Sequence, residues 1–359
     1  MRRASRQIVV GGVAIGGDAP VVVQSMTSTD TRDVEATLVQ IGRLVGVGCE
    51  IVRVGIKDEE ALAAFGEIVS ASPVPVIADI HYSADLAIGA IEAGAHKVRI
   101  NPGNIGSDDK VKAIVDAAAA AHVPIRIGVN SGSLAETYRE ADAPLAERLV
   151  GSARHFIDLF EGWGFADIVL SLKATSVVET IEANRSVARL VDYPLHLGVT
   201  EAGSTFAGTV KSSVGIGVLL EQGIGDTIRV SLTAEPEEEV RVAYEILRAL
   251  GLRRRGVEII SCPTCTRCEI DLVTIARTVE ERLAGVAEPI TVAVMGCVVN
   301  GPGEAREADV GLAGGKGQGL LFSRGETVGK VAEADMVEAL MAEVEKLLAE
   351  RKAERKDQL

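Results

Sequence analysis

Between residues 21 and 250 the sequence alternates, eight times over, a short apolar run with a longer amphipathic stretch. The apolar runs fall at 21–24, 51–54, 76–78, 97–100, 125–129, 168–172, 195–199 and 227–230. Helical patterns follow them at 33–46, 59–70, 83–93, 108–121, 145–163, 176–191, 212–222 and 237–250. Eight strand-then-helix units are what a closed parallel barrel requires, so the predicted fold is α/β, a (β/α)8 TIM barrel rather than an open doubly wound sheet. Ahead of the first unit, two β-prone segments flank Gly11-Gly12, the signal of a hairpin that caps the barrel's bottom. Leu252-Arg253-Arg254-Arg255-Gly256 reads as a linker, and its basic triplet as a solvated connector or a dock for an acidic electron carrier. A smaller α/β domain is expected beyond it, with strands at 257–260, 290–295, 308–312 and 319–323 and helices at 269–283 and 335–348. The domains are predicted at 1–251 and 252–359, with a frayed charged end from Ala349.

In such barrels chemistry gathers where strands end, and every predicted strand end here carries polar residues. In order they are Gln24 and Ser25, Arg53, Asp79 and His81, Arg99 and Asn101, Arg126 and Asn130, Ser171 and Lys173, Thr200 and Glu201, and Arg229 and Ser231. Any one alone reads as a scaffold group. Four arginines and a lysine at one mouth repel each other unless an anion neutralises them, which points to a phosphorylated substrate. The small-residue segment 201–213 runs into a helix start, either a phosphate-binding loop or an ordinary capped one. No Gly-x-Gly-x-x-Gly follows the first strand, so dinucleotide binding has little support.

Four of the five cysteines lie in two patches, Cys262-Pro263-Thr264-Cys265-Thr266-Arg267-Cys268 and Gly296-Cys297-Val298-Val299-Asn300-Gly301-Pro302-Gly303-Glu304. Asn300-Gly301-Pro302-Gly303 reads as a turn that would bring Glu304 back towards Cys297 as an additional ligand. No run of about 18 apolar residues appears and the start lacks a signal-peptide core, so a cytoplasmic location and reduced cysteines are expected. Clustered reduced cysteines are metal ligands, for structural zinc or for iron and sulfur, and spacing alone leaves both open. Cys49 reads as a buried small apolar residue. With 359 residues and a formal net charge of −14, the chain has room for two full cores and is no general nucleic-acid binder.

The motifs together resemble the 4-hydroxy-3-methylbut-2-enyl diphosphate synthase family in its two-domain bacterial form. The resemblance runs through Val22-Val23-Gln24-Ser25-Met26-Thr27, Ala78-Asp79-Ile80-His81, Val98-Arg99-Ile100-Asn101-Pro102-Gly103-Asn104, Arg126-Ile127-Gly128-Val129-Asn130 and Ser171-Leu172-Lys173. It continues through Gly198-Val199-Thr200-Glu201-Ala202-Gly203, Asp226-Thr227-Ile228-Arg229-Val230-Ser231 and both cysteine patches. It implies a [4Fe–4S] cluster on Cys262, Cys265, Cys297 and Glu304. It implies two-electron reductive ring opening of 2-C-methyl-D-erythritol 2,4-cyclodiphosphate with loss of water. Substrate binding then falls to Arg53, Arg99, Asn101, Arg126, Asn130, Lys173, Arg229 and Ser231. Glu201 is the implied proton donor, with Asp79 and His81 as supporting groups or simply a pair that closes the third strand's end. A flavodoxin or ferredoxin electron donor and a head-to-tail homodimer are also implied. Cys268 lies outside the family motif, a bystander or a rival ligand. From a different class, the runner-up is a phosphate-binding barrel of aldolase or pteroate-synthase type with a structural zinc domain.

Overall fold

The computed structural model describes residues 2–357, and the chain divides into two compact units, one ending at Arg253 and the next starting at Arg254. The first begins with an antiparallel hairpin of β1 (Ile8–Val10) and β2 (Val13–Ile15), in register Ile8↔Ile15 to Val10↔Val13. Gly11 and Gly12 take left-handed φ values of 54° and 89°, the two-residue turn that matches strand twist. The hairpin's Ile8, Val10 and Ile15 bury against Val22, Ile51, Ile77 and Val169, which closes the barrel's lower end with an apolar plug.

Eight parallel strands form the barrel: β3 (Val22–Met26), β4 (Ile51–Gly55), β5 (Val76–Asp79), β6 (Lys97–Ile100), β7 (Ile125–Val129), β8 (Ile168–Leu172), β9 (His196–Leu197) and β10 (Thr227–Ile228). Their order is β8-β7-β6-β5-β4-β3-β10-β9, and a parallel bridge between Leu170 and Leu195 completes the ring. Side-chain caps start several of the surrounding helices. Asp33, Asp58, Ser83 and Ser176 each accept a hydrogen bond from the backbone N–H three residues on, satisfying a donor the helix itself cannot. The helix expected from residue 212 instead runs over Thr205–Glu221. Two of its glycines allow close packing: a Cβ on Gly208 would meet Leu232 at 2.6 Å and one on Gly215 would meet Val199 at 2.7 Å. The basic linker is also partly structural, since Arg253 donates to the Val21 carbonyl at 2.7 Å and pairs with Glu50 below the barrel.

The second unit is a five-stranded sheet of β11 (Val257–Ser261), β12 (Ile290–Met295), β13 (Val310–Gly315), β14 (Gln318–Ser323) and β15 (Glu326–Ala332) in that spatial order. The first three strands are parallel and the last three antiparallel. Helices Leu272–Leu283 and Met336–Asp357 cover one face through Leu272, Val279, Leu283, Met336, Leu340 and Val344. The first of them starts at Leu272 rather than 269 because Asp271 caps it and Glu269 N–H is spent on the Gly296 carbonyl. Strand β15 is mostly exposed and carries no strong apolar alternation, which hid it from the sequence reading. The end expected to fray stays helical to Asp357, because Arg351 reaches the Pro289 carbonyl and Asp309 while Arg355 pairs with Glu288. No helix among the described residues is long and apolar enough to cross a membrane.

Candidate active site

Alternation along each strand decides what enters the lumen. In β4, Val52 and Val54 join the core beneath the helices while Ile51 joins the plug, so Arg53 faces inward. The same logic turns Asp79, Lys97, Arg99, Arg126, Lys173, His196, Thr227 and Arg229 inward, opposite Ala78, Val98, Ile125, Leu172, Leu197 and Ile228. Glycines make the room. A Cβ on Gly128 would stand 2.6 Å from Asn101 Oδ1 and 3.0 Å from Arg99 Nε, and one on Gly198 would stand 2.6 Å from Lys173 Nζ.

Asp79 organises one side of this lumen. It accepts from Arg99 at 2.8 Å and lies 3.4 Å from Arg53 and 3.5 Å from His81. Burial alone would raise its carboxyl, yet Arg53, the His81 hydrogen bond, Arg99 and Arg126 outweigh it and hold Asp79 well below the usual carboxylate range. Arg53 also donates to Met26 Sδ at 3.0 Å, and burial pushes it down to about 10 against the pull of Asp79. Arg229 is neutralised otherwise, by Glu239 at 3.0 Å on the helix Pro236–Ala249. Glu239 accepts from Ser25 and from Leu232 N–H as well.

Arg126 stands apart from these pairs. It is 1% exposed, its side chain makes no hydrogen bond among the described residues, and its Nε is fully enclosed. Burial and its neighbours Arg53 and Arg99 drive its guanidinium well below the ordinary value. Lys173 is held down likewise, by burial and then Arg126, Arg229, Arg53 and Arg99, and among the described residues its Nζ has one partner, His196 Nε2 at 3.3 Å.

Of the other predicted residues, Asn101 is buried with Oδ1 unpartnered. Asn130 Oδ1 is engaged in its own turn, accepting from Gly132 N–H and Ser133 Oγ. Ser231 is half-buried just past β10. Glu201 is exposed, accepts from Thr175 Oγ1 at 3.3 Å, and holds a left-handed φ of 52°, costly for a residue with a Cβ. A cavity of about 380 Å³ opens beside the lumen, lined by Met26, Asp30, Lys57, Asp79, His81 and Tyr82 among others. Sequence reasoning missed His196, Lys97 and Glu239. The first two lie two residues before Gly198 and Arg99 on inward-facing positions, a periodic signal that was available.

In the second unit, the register Ser261↔Val294 brings both cysteine patches to the carboxyl ends of adjacent parallel strands. Gly296 N–H donates to Cys262 Sγ at 3.3 Å. Cys297 is buried, and its thiol is lowered by the backbone N–H groups of Asn300 and Val299, with burial opposing and Gly301 adding. The segment expected as a turn is instead the first turn of a helix, Gly301–Glu307, where Pro302 costs nothing because its missing N–H would have no partner there. Glu304 and Cys265 are exposed. Cys268 Sγ donates to the Ile270 carbonyl at 3.4 Å and fills the notch over Gly296, where a Cβ would stand 2.6 Å from it. Among the described residues no three His, Cys, Asp or Glu side chains stand close enough to hold a single metal ion.

These features define a class, a (β/α)8-barrel enzyme with an excess of buried cations at its centre, joined to a cysteine-bearing α/β unit. Barrels of this fold include the dihydropteroate synthase of Yersinia pestis, with a TM-score of 0.50 and 14% identity over 68% of this chain and 97% of that one. The 7,8-dihydropteroate synthase of Vibrio fischeri is similar, with a TM-score of 0.50 and 15% identity over 69% of this chain and 100% of that one. Such identity speaks for the fold alone. The chain belongs to the GcpE family: residues 5–244 match the GcpE TIM-barrel domain and residues 258–346 the GcpE protein C-terminal domain. A 4-hydroxy-3-methylbut-2-en-1-yl diphosphate synthase (flavodoxin) of Geobacter sulfurreducens is 57% identical over 352 residues, 98% of this chain and 100% of that protein. The enzyme of the same name from Aquifex aeolicus is 54% identical over 347 residues, 96% of this chain and 97% of that protein. The family resemblance carried by the motifs is borne out, and the pteroate-synthase-like alternative is not favoured.

Proposed function

We infer that the chain is an oxidoreductase that opens the ring of 2-C-methyl-D-erythritol 2,4-cyclodiphosphate to give 4-hydroxy-3-methylbut-2-enyl diphosphate and water. Arg126 carries this reading: a buried guanidinium with no hydrogen-bond partner among the described residues, repelled by Arg53 and Arg99 and only in part offset by Asp79, is better satisfied with an anion to meet it. Two electrons and one proton convert the cyclic dianion to a diphosphate trianion as water leaves. The cationic excess of the lumen favours the more negative product side of that change. Arg99, Arg126 and Lys173 are the proposed phosphoryl ligands, with Arg53, Arg229, Asn101, Asn130 and Ser231 completing the set. Asp79 and His81 hold Arg99 and Arg53 in position. Glu201 is the proposed proton donor to the departing hydroxyl, and its strained backbone fits a residue whose direction is set by function rather than by local preference.

Cys262, Cys265, Cys297 and Glu304 would hold a [4Fe–4S] cluster, which supplies electrons when bound. The donor set fits, since the N–H groups around Cys297 favour a thiolate and a cluster of several irons spreads its ligands wider than one ion does. Cys268, engaged with Ile270 and the Gly296 notch, is proposed as a bystander. The electron donor is proposed to be flavodoxin, the carrier printed in the relatives' names, or a ferredoxin. A head-to-tail homodimer belongs to the same proposal, and a monomer in sedimentation at micromolar concentration would remove it.

Anaerobically purified protein, given the cyclic diphosphate and a chemical one-electron reductant, is expected to convert it to the open diphosphate, followed by ³¹P NMR. Cys297→Ser should lose iron and turnover together, and Cys268→Ser should keep both. Arg126→Ala should keep its iron and bind substrate about 10- to 100-fold more weakly. Zinc in place of iron, or unchanged affinity in Arg126→Ala, would overturn the reading.

A further inference from the structure

Beneath the phosphoryl ligands the lumen contains a buried line of hydrogen bonds that joins the predicted Lys173 to residues without an assigned role. Gln24 Nε2 donates to Thr227 Oγ1 at 2.7 Å, Thr227 Oγ1 lies 2.7 Å from His196 Nδ1, and His196 Nε2 lies 3.3 Å from Lys173 Nζ. Gln24, Thr227 and His196 are all buried, His196 and Thr227 completely. Lys173 reaches His196 from the neighbouring strand by leaning over Gly198, where no side chain stands in its way.

We propose that His196 is the positioning residue for Lys173: its Nε2 accepts a hydrogen bond from the ammonium and fixes that charge against the phosphoryl group of a bound diphosphate. This assignment rests on the proposed diphosphate reading of Lys173. An ammonium has three donors and no acceptor, so with an anion bound and Lys173 charged, Nε2 must offer a lone pair. The ring proton then sits on Nδ1 and is donated to Thr227 Oγ1, whose other lone pair takes the Gln24 amide. A neutral imidazole is required, and its surroundings enforce one. Around it stand Arg53 on β4, Lys97 on β6, Arg126 on β7 and Lys173 just past β8, while Arg99 on β6 and Arg229 just past β10 act on Lys173; Asp79 on β5 pairs with Arg53 and Arg99, and Glu239 on the helix Pro236–Ala249 with Arg229. Burial, then Lys173, Arg126, Lys97 and Arg53, hold the imidazole well below its ordinary value. Without the ring acceptor, Lys173 has a flexible four-carbon stem and no protein partner to aim it.

Two substitutions separate the two ring nitrogens. In His196→Gln the side-chain amide reaches the place of Nε2, and in His196→Asn it reaches only the place of Nδ1. The probe is inorganic diphosphate, titrated calorimetrically into the anaerobically purified full chain. His196→Gln is expected to bind within about threefold of wild type and His196→Asn at least about tenfold more weakly, the value of one charge-assisted hydrogen bond. The alkaline limit of binding should also move to lower pH in His196→Asn, since the lost acceptor favoured the ammonium; an unmoved limit would count against the proposal. Equal affinity in the two variants would overturn it. Should neither variant fold, ¹⁵N spectra of histidine-labelled wild-type protein with diphosphate bound decide. A proton on His196 Nδ1 supports the assignment, and a proton on Nε2 overturns it. If wild-type protein binds no diphosphate, the anion-site reading itself fails and this assignment with it, an outcome distinct from wild-type binding with indifferent variants.

Discussion

Lys97 should destabilise the barrel it helps to fill, and replacing it by methionine should make the ligand-free protein more stable. The residue is 0% exposed, its Nζ has no hydrogen-bond partner among the described residues, and burial, Arg126 and Arg53 together push its amine well below the ordinary value. Methionine keeps the length and flexibility of the stem and removes only the polar end. An unsatisfied buried polar group costs about 1–3 kcal/mol. For a domain of this size about 1 kcal/mol moves Tm by roughly 2–4 °C, so Lys97→Met should melt about 2–12 °C higher near neutral pH. The pH dependence has a definite sign. Between the lowered folded value and an unfolded value of about 10.4, the unfolded chain holds a proton that folded Lys97 has released, so wild-type stability rises with pH across that window. The substitution removes that contribution to the slope, and its advantage shrinks as pH approaches about 10. The chain's single tryptophan, Trp163, follows a barrel helix and packs on the barrel core, so its fluorescence reports that unit alone. An unchanged or lower Tm in Lys97→Met at neutral pH, or an undiminished slope, would show that the amine is stabilised in the folded state and refute the reasoning.

Gly198→Ala should weaken diphosphate binding about tenfold or more in calorimetry, because the new Cβ would stand 2.6 Å from both Lys173 Nζ and the Arg229 carbonyl. Gly311→Ala should lower iron content and the melting point of the second unit, since its Cβ would lie 2.1 Å from the Ala305 carbonyl in the helix that carries Glu304. Asp79→Asn should destabilise the barrel by about 3–5 kcal/mol near neutral pH by leaving buried cations uncompensated. Asp79's contribution is complete above its unfolded value of about 3.9 and is lost as pH falls through the depressed folded value, so acid titration of the variant should be flatter there. Cys49, buried and with its thiol pushed up to about 12, should resist iodoacetamide at pH 8 until the chain unfolds.

The sequence by itself determined the barrel and much of its centre. Period-two alternation in runs such as Lys97–Ile100 and Ile125–Val129 states which residues face the lumen, and the position of each run in a βα unit states which end of the barrel they approach. The two cysteine patches were likewise visible in the sequence, because spacing is local, but Asn300-Gly301-Pro302-Gly303, read as a turn, opens the helix Gly301–Glu307, since Pro at a helix's first turn is compatible with either. What the tertiary structure decided is which charges are paired. Arg229 and Arg126 look alike in sequence, yet Glu239, ten residues on and one helix turn into the covering layer, neutralises the first, and among the described residues no side chain hydrogen-bonds the second. His196 becomes the partner of Lys173 only because the barrel closes β8 against the segment leading into β9 and Gly198 leaves the space between them. The end of the chain makes the same point, since Arg351 and Arg355 hold a helix whose composition alone suggested fraying. Facing is set by the strand's own geometry, whereas pairing depends on register and distance between segments far apart in the chain, and those exist only once the fold has formed.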